Sequence, residues 1–257
     1  MTDVNDHILA HASDGVMTIR MNRPDKKNAI TGDMYARMAA SLDEAYGSDD
    51  VNVILILGTP GAFSSGNDIA DFMQITMSGE RSSMAVFDFL ERLIMAPKPL
   101  VAGVDGLAIG VGTTMLMHCD YVIASGNSHF KTPFVNLGLV PEAGSSLIAP
   151  QLMGHHKAFA LLGLGESLNA GEANVAGFVN QVVNQEILEE SAKAMAADVA
   201  SKPQQALRLS RDLIRGDRSA ILERMREEAV LFGERLESEE AKQAFMAFMA
   251  KGQKKAG

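Results

Sequence analysis

"KPLVAGVDGLAIGVGTTMLMHCDYVIAS", Lys98 to Ser125, decides the fold class. "LVAGV" is a short apolar run of the kind buried on both faces of a parallel sheet. "DGLAIGVG" reads as a loop, "TTMLMH" as a helix and "YVIAS" as the next strand. Two buried strands joined through a glycine-rich loop and a helix make an α/β unit.

The same grammar extends outward on both sides. "VNVILILG", ending at Gly58, is a second buried strand, and the loop "TPGAFSSGN" follows it. A helix is expected from about Asp68, with Asp68 as its cap and Asp71 at the third position. "SSMAVFDFLERLIMA" is another helix, with Val86, Leu90, Leu93 and Ile94 on one stripe, and Pro97 and Pro99 end it. At the N-terminus "HILAHA" and "GVMTIRMN" alternate as strands around a turn at Gly15. "TGDMYARMAASLDEAYG" is a helix capped by Thr31, with Met34, Met38 and Leu42 at core spacing. Beyond about residue 200 the pattern becomes helical throughout. Ile221, Met225 and Phe232 mark one apolar stripe there, and Phe245, Phe248 and Met249 another. These stripes suit packing on the same chain or on a neighbouring subunit. The expected division is an α/β core over residues 1–200 and a helical region over 201–257, the latter in oligomer contacts.

Composition narrows the function. The 257 residues carry a formal charge of -9, which argues against nucleic-acid binding but leaves room for a local basic cluster. The single cysteine, Cys119, permits no intrachain disulfide and no thiolate metal cluster. No apolar run reaches the ~20 residues that span a bilayer. The acidic N-terminal stretch lacks a signal-peptide pattern, and "KGQKKAG" is not a peroxisomal address. A cytoplasmic location without membrane contact is the expectation.

Common phosphate and nucleophile motifs are missing. There is no Gly-Lys pair for a P-loop, no G-x-S-x-G elbow around Ser64 and Ser65, and no H-E-x-x-H. Gly110 and Gly112 form G-x-G, but Met115 stands where a dinucleotide fingerprint would close. What remains is two glycine-rich loops, each running into a helix: "AFSSGNDIADF" and "DGLAIGVGTTMLM". Amides at helix starts are orphan donors. Two such loops side by side would make an oxyanion hole; alternatively the glycines serve only tight turns and close packing. One further acid stands out: "GLVPEAGSSL" sets Glu142 between Pro141 and a run of small residues. A surface loop would hold such an acid, and so would a general base.

In their order and spacing these segments resemble the crotonase superfamily of enoyl-CoA hydratases and isomerases. "MNRPDKKNAIT", "AFSSGNDI", the opening stretch, "FKTPFVNLGLVPEAGSSLIAPQLMG" and "LNAGEANVAGFVNQVV" carry the resemblance over nearly the full length. It implies a crotonase-like spiral of ββα units with a helical C-terminal region, and homotrimers or dimers of trimers. It also implies an acyl-CoA substrate, with coenzyme A as part of that substrate, no other cofactor and no metal. The oxyanion donors would be the backbone N–H groups of Asn67 and Val111. Lys27, Ala29, Ser64, Ser65, Gly66, Asp68, Ile69, Gly110 and Phe134 would line the substrate, with Lys26 beside Lys27 near the CoA phosphates. Met73, Met77 and Met84 would border the acyl group.

Hydratases of this superfamily use two glutamates to handle a water. The matching positions here are Thr114 and Phe134, and neither side chain can act as a base. "LGLVPEAGSS" resembles instead the segment that carries a single glutamate in 3,2-enoyl-CoA isomerases. The resemblance therefore implies double-bond migration with Glu142 as proton shuttle. A hydratase or hydrolase using Glu142 on water is a rival enzyme reading, separable by assaying hydration of a 2-enoyl-CoA. A non-catalytic acyl-CoA-binding trimer is a rival of another class, and it predicts binding without turnover.

Overall fold

The computed structural model describes residues 7–69 and 83–254. Its strands are β1 (Ile8–Ser13), β2 (Val16–Met21), β3 (Val53–Leu57), β4 (Ala62–Ser64), β5 (Leu100–Val104), β6 (Leu107–Ile109), β7 (Tyr121–Ser125), β8 (His129–Lys131), β9 (Ser167–Asn169) and β10 (Gln181–Val183). Between them run the helices α1 (Gly32–Gly47), α2 (Ser83–Ile94), α3 (Val111–Thr114), α4 (Ser145–Ala158), α5 (Ala170–Val175) and α6 (Leu188–Ser201). Then follow α7 (Gln204–Arg215), α8 (Ser219–Leu236) and α9 (Glu239–Lys254).

The hairpin β1–β2 is antiparallel and turns at Asp14 and Gly15, with φ of +53° and +81°. A type I′ turn, one of the two-residue turns that match strand twist, takes positive φ at both positions, which Asp-Gly supplies. From β2 the large sheet continues in parallel, in the order β1-β2-β3-β5-β7-β10. A smaller sheet, β4-β6-β8-β9, stands beside it, parallel except for β9. Each turn of the chain thus contributes one strand to the large sheet, one to the small sheet and then a helix: β3–β4–α2, β5–β6–α3, β7–β8–α4. This is a spiral of ββα units.

The apolar runs of β3, β5 and β7 follow from coverage on both faces. Ile54, Ile56, Leu100, Ala102, Val104, Val122 and Ala124 enter the main core with α1 and α2. Val53, Leu55, Leu57, Val101 and Ile123 face a second cluster with Leu188, Ala192 and Ala196 of α6. Period two along each strand divides the two cores. On α1, Thr31 accepts a hydrogen bond from the Met34 N–H as N-cap, and Met34, Met38 and Leu42 are buried as expected. On α2, Leu90, Leu93 and Ile94 are buried, joined by Phe89, while Val86 is only partly buried. Met225 and Phe245 enter the same main core, with Ile221 and Phe232 packed against it.

The loops "TPGAFSSGN" and "DGLAIGVG" differ from expectation, because each contains a three-residue strand, β4 and β6. Strands that short show no alternation, and they exist through their pairing across the small sheet, β4 with β6 and β6 with β8. Pro203 stands just before the first turn of α7, at its N-cap. Asp71, Met73 and Met77 lie outside the described residues, as do the side chains of Met84, Phe248 and Met249.

Candidate active site

The two glycine-rich loops leave the small sheet side by side, because β4 and β6 pair in parallel with Ser64 opposite Ala108. The approach is close. A Cβ on Gly66 would lie 2.9 Å from the Ile109 carbonyl oxygen, and one on Gly112 would lie 2.9 Å from the Ser64 carbonyl oxygen. Gly66 also has φ of +91°, which side chains disfavour. Gly112→Ala keeps a helical backbone yet must push the loops apart. We expect it to lower kcat/KM by about tenfold at nearly unchanged melting temperature, because small misplacements near reacting groups are costly. Steady-state kinetics with a thermal melt reads this out.

Each loop offers one amide. Ile30 N–H donates to Gly66 O at 2.8 Å, and Asp68 N–H donates to Ile30 O at 2.9 Å. These bonds flank Asn67, so its own N–H faces away from Ile30, by the alternation of an extended chain. Val111 is the first residue of α3, so its N–H has no acceptor within the helix. Gly110 before it takes φ of +56° and donates its own N–H to Lys131 O at 2.8 Å, which anchors the loop to β8.

The first loop is tied down by Ser64, Ser65, Asn28 and Arg23. Ser64 is fully buried; its hydroxyl donates to Asn28 O and accepts from the Gly66 N–H. Ser65 hydrogen-bonds the 26–27 backbone through its hydroxyl and its N–H. The buried Asn28 amide donates to Ala62 O and Thr59 Oγ1. Arg23 pairs with Asp68 at 2.6 Å and donates to Ala29 O. Ile69 is partly buried against the main core. Lys26 and Lys27 are exposed at the short 3-10 turn, Lys27 with φ of +51°.

Glu142 sits on the segment from the 3-10 turn at Val135–Leu137 to α4. The residue is half-buried, but its Oε1 is shut off from solvent and has no hydrogen-bond partner among the described residues. Burial, and secondarily the charge of Glu228, pushes its carboxyl up to about 8. The Thr114 hydroxyl is likewise buried without a partner, and Phe134 is buried. Tyr35 on α1 joins the parts. Its hydroxyl donates to Asn67 Oδ1, and its own ionisation is pushed far up, first by burial and then by the charge of Glu142. The acid, the first loop and α1 are therefore close neighbours.

Tyr35, His118 and Glu228 escaped the sequence reading. Tyr35 lies beside Met34 in an apolar helix and gave no sign of its polar tip. Glu228 did leave one: it completes the row Ile221, Met225, Phe232 at spacings of four, three and four, so an acid stood in an apolar stripe.

The family profile described as enoyl-CoA hydratase/isomerase matches residues 11–256. The chain belongs to the enoyl-CoA hydratase/isomerase family. It is 35% identical over 249 residues to enoyl-CoA delta isomerase 2 of Rattus norvegicus, covering 95% of this chain and 63% of that one. It thus spans less than two thirds of that relative's length. It is 30% identical over 249 residues to a short-chain-enoyl-CoA hydratase of Clostridium acetobutylicum, covering 96% and 95% of the two chains. A crystal structure of an enoyl-CoA hydratase/isomerase from Pseudoalteromonas atlantica T6c superposes with a TM-score of 0.90 at 35% identity, covering 95% and 97%. The family contains both isomerases and hydratases, so the division between them rests on the site. No helix among the described residues is long and apolar enough to cross a membrane.

Proposed function

We propose that this member of the family is an acyl-CoA isomerase that moves the double bond of a 3-enoyl-CoA to the conjugated 2-position. One observation carries the reading. Among the described residues the acid available at the site is Glu142, with a sealed Oε1 that has no hydrogen-bond partner there, while the two positions for hydratase glutamates hold Thr114 and Phe134.

The thioester oxygen would accept from the N–H groups of Asn67 and Val111. The Glu142 carboxylate takes a proton from C2, and the C–H electron pair becomes the C1–C2 double bond of an enolate, with charge on the oxygen between the two amides. The conjugate acid then returns the proton to C4. The C3–C4 π pair forms the new C4–H bond, the C1–C2 pair shifts to C2–C3, and the oxygen lone pair restores the thioester carbonyl. Substrate and product are isomers, so no electrons are exchanged and no cofactor participates beyond the coenzyme A of the substrate. Donors aimed at the enolate stabilise it more than the ground state. A base lifted towards neutrality by burial suits taking and returning one proton. Phe134 excludes the water that hydration would need. Lys26 and Lys27, exposed beside the first loop, are the cations for the CoA phosphates. Assembly into trimers or dimers of trimers belongs to the same reading, since α7 leaves Leu213 and Ile214 86% and 85% exposed for a second copy to cover.

The test is product analysis. 3-Hexenoyl-CoA should yield the conjugated thioester, read by its absorbance, while hydration of crotonyl-CoA should be much slower. A crotonyl-CoA hydration rate above the isomerase rate would overturn the assignment.

A further inference from the structure

The turn that presents Glu142 is strained. Ala143 is buried with φ of +63°, a region that a residue bearing a Cβ rarely occupies, and Gly144 follows at +69°. Strain of this kind persists only where surrounding groups over-determine it. Here two buried side chains from other parts of the chain hold it. His118, just after α3, contacts Ala143 O through Nε2 at 2.9 Å. Its Nδ1 faces the Arg218 guanidinium at 3.2 Å. Arg218 is a donor only, so Nδ1 accepts and Nε2–H donates to Ala143 O. Burial and the Arg218 charge hold this imidazole neutral, down to about 3.

On the other side stands Glu228 of α8, 4% exposed. Its Oε2 accepts the Gly144 N–H at 2.6 Å and its Oε1 the Ser146 N–H at 2.9 Å. Gly144 is the N-cap of α4 and has no side chain to cap with. Glu228 therefore caps α4 from a distance, at the helix end that favours an anion. α8 also lies directly on the turn, because a Cβ on Gly144 would come 2.7 Å from Ile221 Cγ2.

We propose that Glu228, with His118 opposite, clamps the 142–146 turn, and that Glu228 is a positioning residue which sets the aim of Glu142. This rests on the reading of Glu142 as the base. The charged and titratable groups around the turn, among the described residues, are Tyr35 of α1, His118, and Arg218, Arg224 and Glu228 at and along α8. Farther along the segment, Arg235 binds Gly138 O and pairs with Glu240. Of these groups, Glu228 is the one whose charge opposes ionisation of Glu142.

The test uses Glu228→Gln, with the Glu142 carboxyl followed by carbon NMR in glutamate-labelled resting enzyme and assigned by its loss in Glu142→Gln. Glutamine can accept one of the two amides and carries no charge. The Glu142 midpoint should drop by about one pH unit, the acid limb of kcat should move with it, and kcat should fall about tenfold with KM within about threefold. Glu228→Asp keeps the charge but cannot span both amides, so kcat should fall while the midpoint stays near wild type. In the wild-type enzyme, hydrogen exchange at Gly144 and Ser146 should be as slow as in the interior of α8. An unmoved midpoint and kcat in Glu228→Gln, or fast exchange at those amides, overturns the clamp, whatever happens to the melting temperature. The midpoint and exchange readouts need no turnover. If the enzyme proves to be a hydratase, the reaction assignment fails while the clamp is still decided.

Discussion

Glu142→Gln should lower isomerase turnover by at least ~100-fold, the usual scale for losing a general base, while acyl-CoA binding stays within about threefold. The substitution is nearly isosteric, and the Oε1 it replaces has no hydrogen bond to lose among the described residues. The pH dependence follows from the same group. The proposed reaction begins with the carboxylate, and the folded protein pushes that carboxyl up to about 8. The wild-type kcat/KM should therefore rise with pH along a limb centred near 8, and the residual rate of the variant should lack it. Stability moves in the opposite sense. A carboxyl raised on folding favours the protonated form, so its contribution is whole below the ordinary value of 4.5 and is lost as pH rises through about 8. Glu142→Gln should thus gain stability over wild type between these limits and keep the gain above them. Near-normal turnover in Glu142→Gln, or a melting advantage that does not grow with pH, would remove Glu142 from its role.

Val111→Pro should lower kcat by about 10²–10³-fold, the ~2.7–4 kcal/mol attached to one oxyanion donor. Proline suits this position structurally. Val111 opens α3, where a helix needs no N–H, and the preceding residue is Gly110, which has no Cβ to clash. The buried isopropyl group is lost as well, so Val111→Ala is the control: it keeps the N–H and should lose far less. Circular dichroism shows that both variants fold. Equal losses in the two would mean that packing, not the amide, is what matters there. Asn67→Ala is a milder probe of the other loop, because it keeps the amide and removes only the acceptor for the Tyr35 hydroxyl.

Much of this architecture was legible in one dimension. The all-apolar runs of β3 and β5 favoured strands covered on both faces by their length and β-branching, and α1 announced itself through Thr31 and its methionine spacing. Local signals of this kind arise from neighbours in sequence, which is why they can be read there. The glycine loops and Glu142 were also visible, as residue types in order. β4 and β6 were not, since three residues carry no period and their reason for being strands is pairing across the small sheet, β4 with β6 and β6 with β8. Nor could the sequence show how far the Glu142 carboxyl is lifted towards neutrality. That follows from burial beneath groups far along the chain, with Glu228 lying 84 positions from Gly144, Tyr35 32 positions from Asn67, and His118 25 from Ala143. The sequence by itself determined the long buried strands, the main helices and the chemical groups on offer. The tertiary structure alone decided which backbone amides are left open, how a strained turn is held, and how far one carboxyl is lifted, because desolvation and long-range hydrogen bonds exist only after the chain has closed on itself.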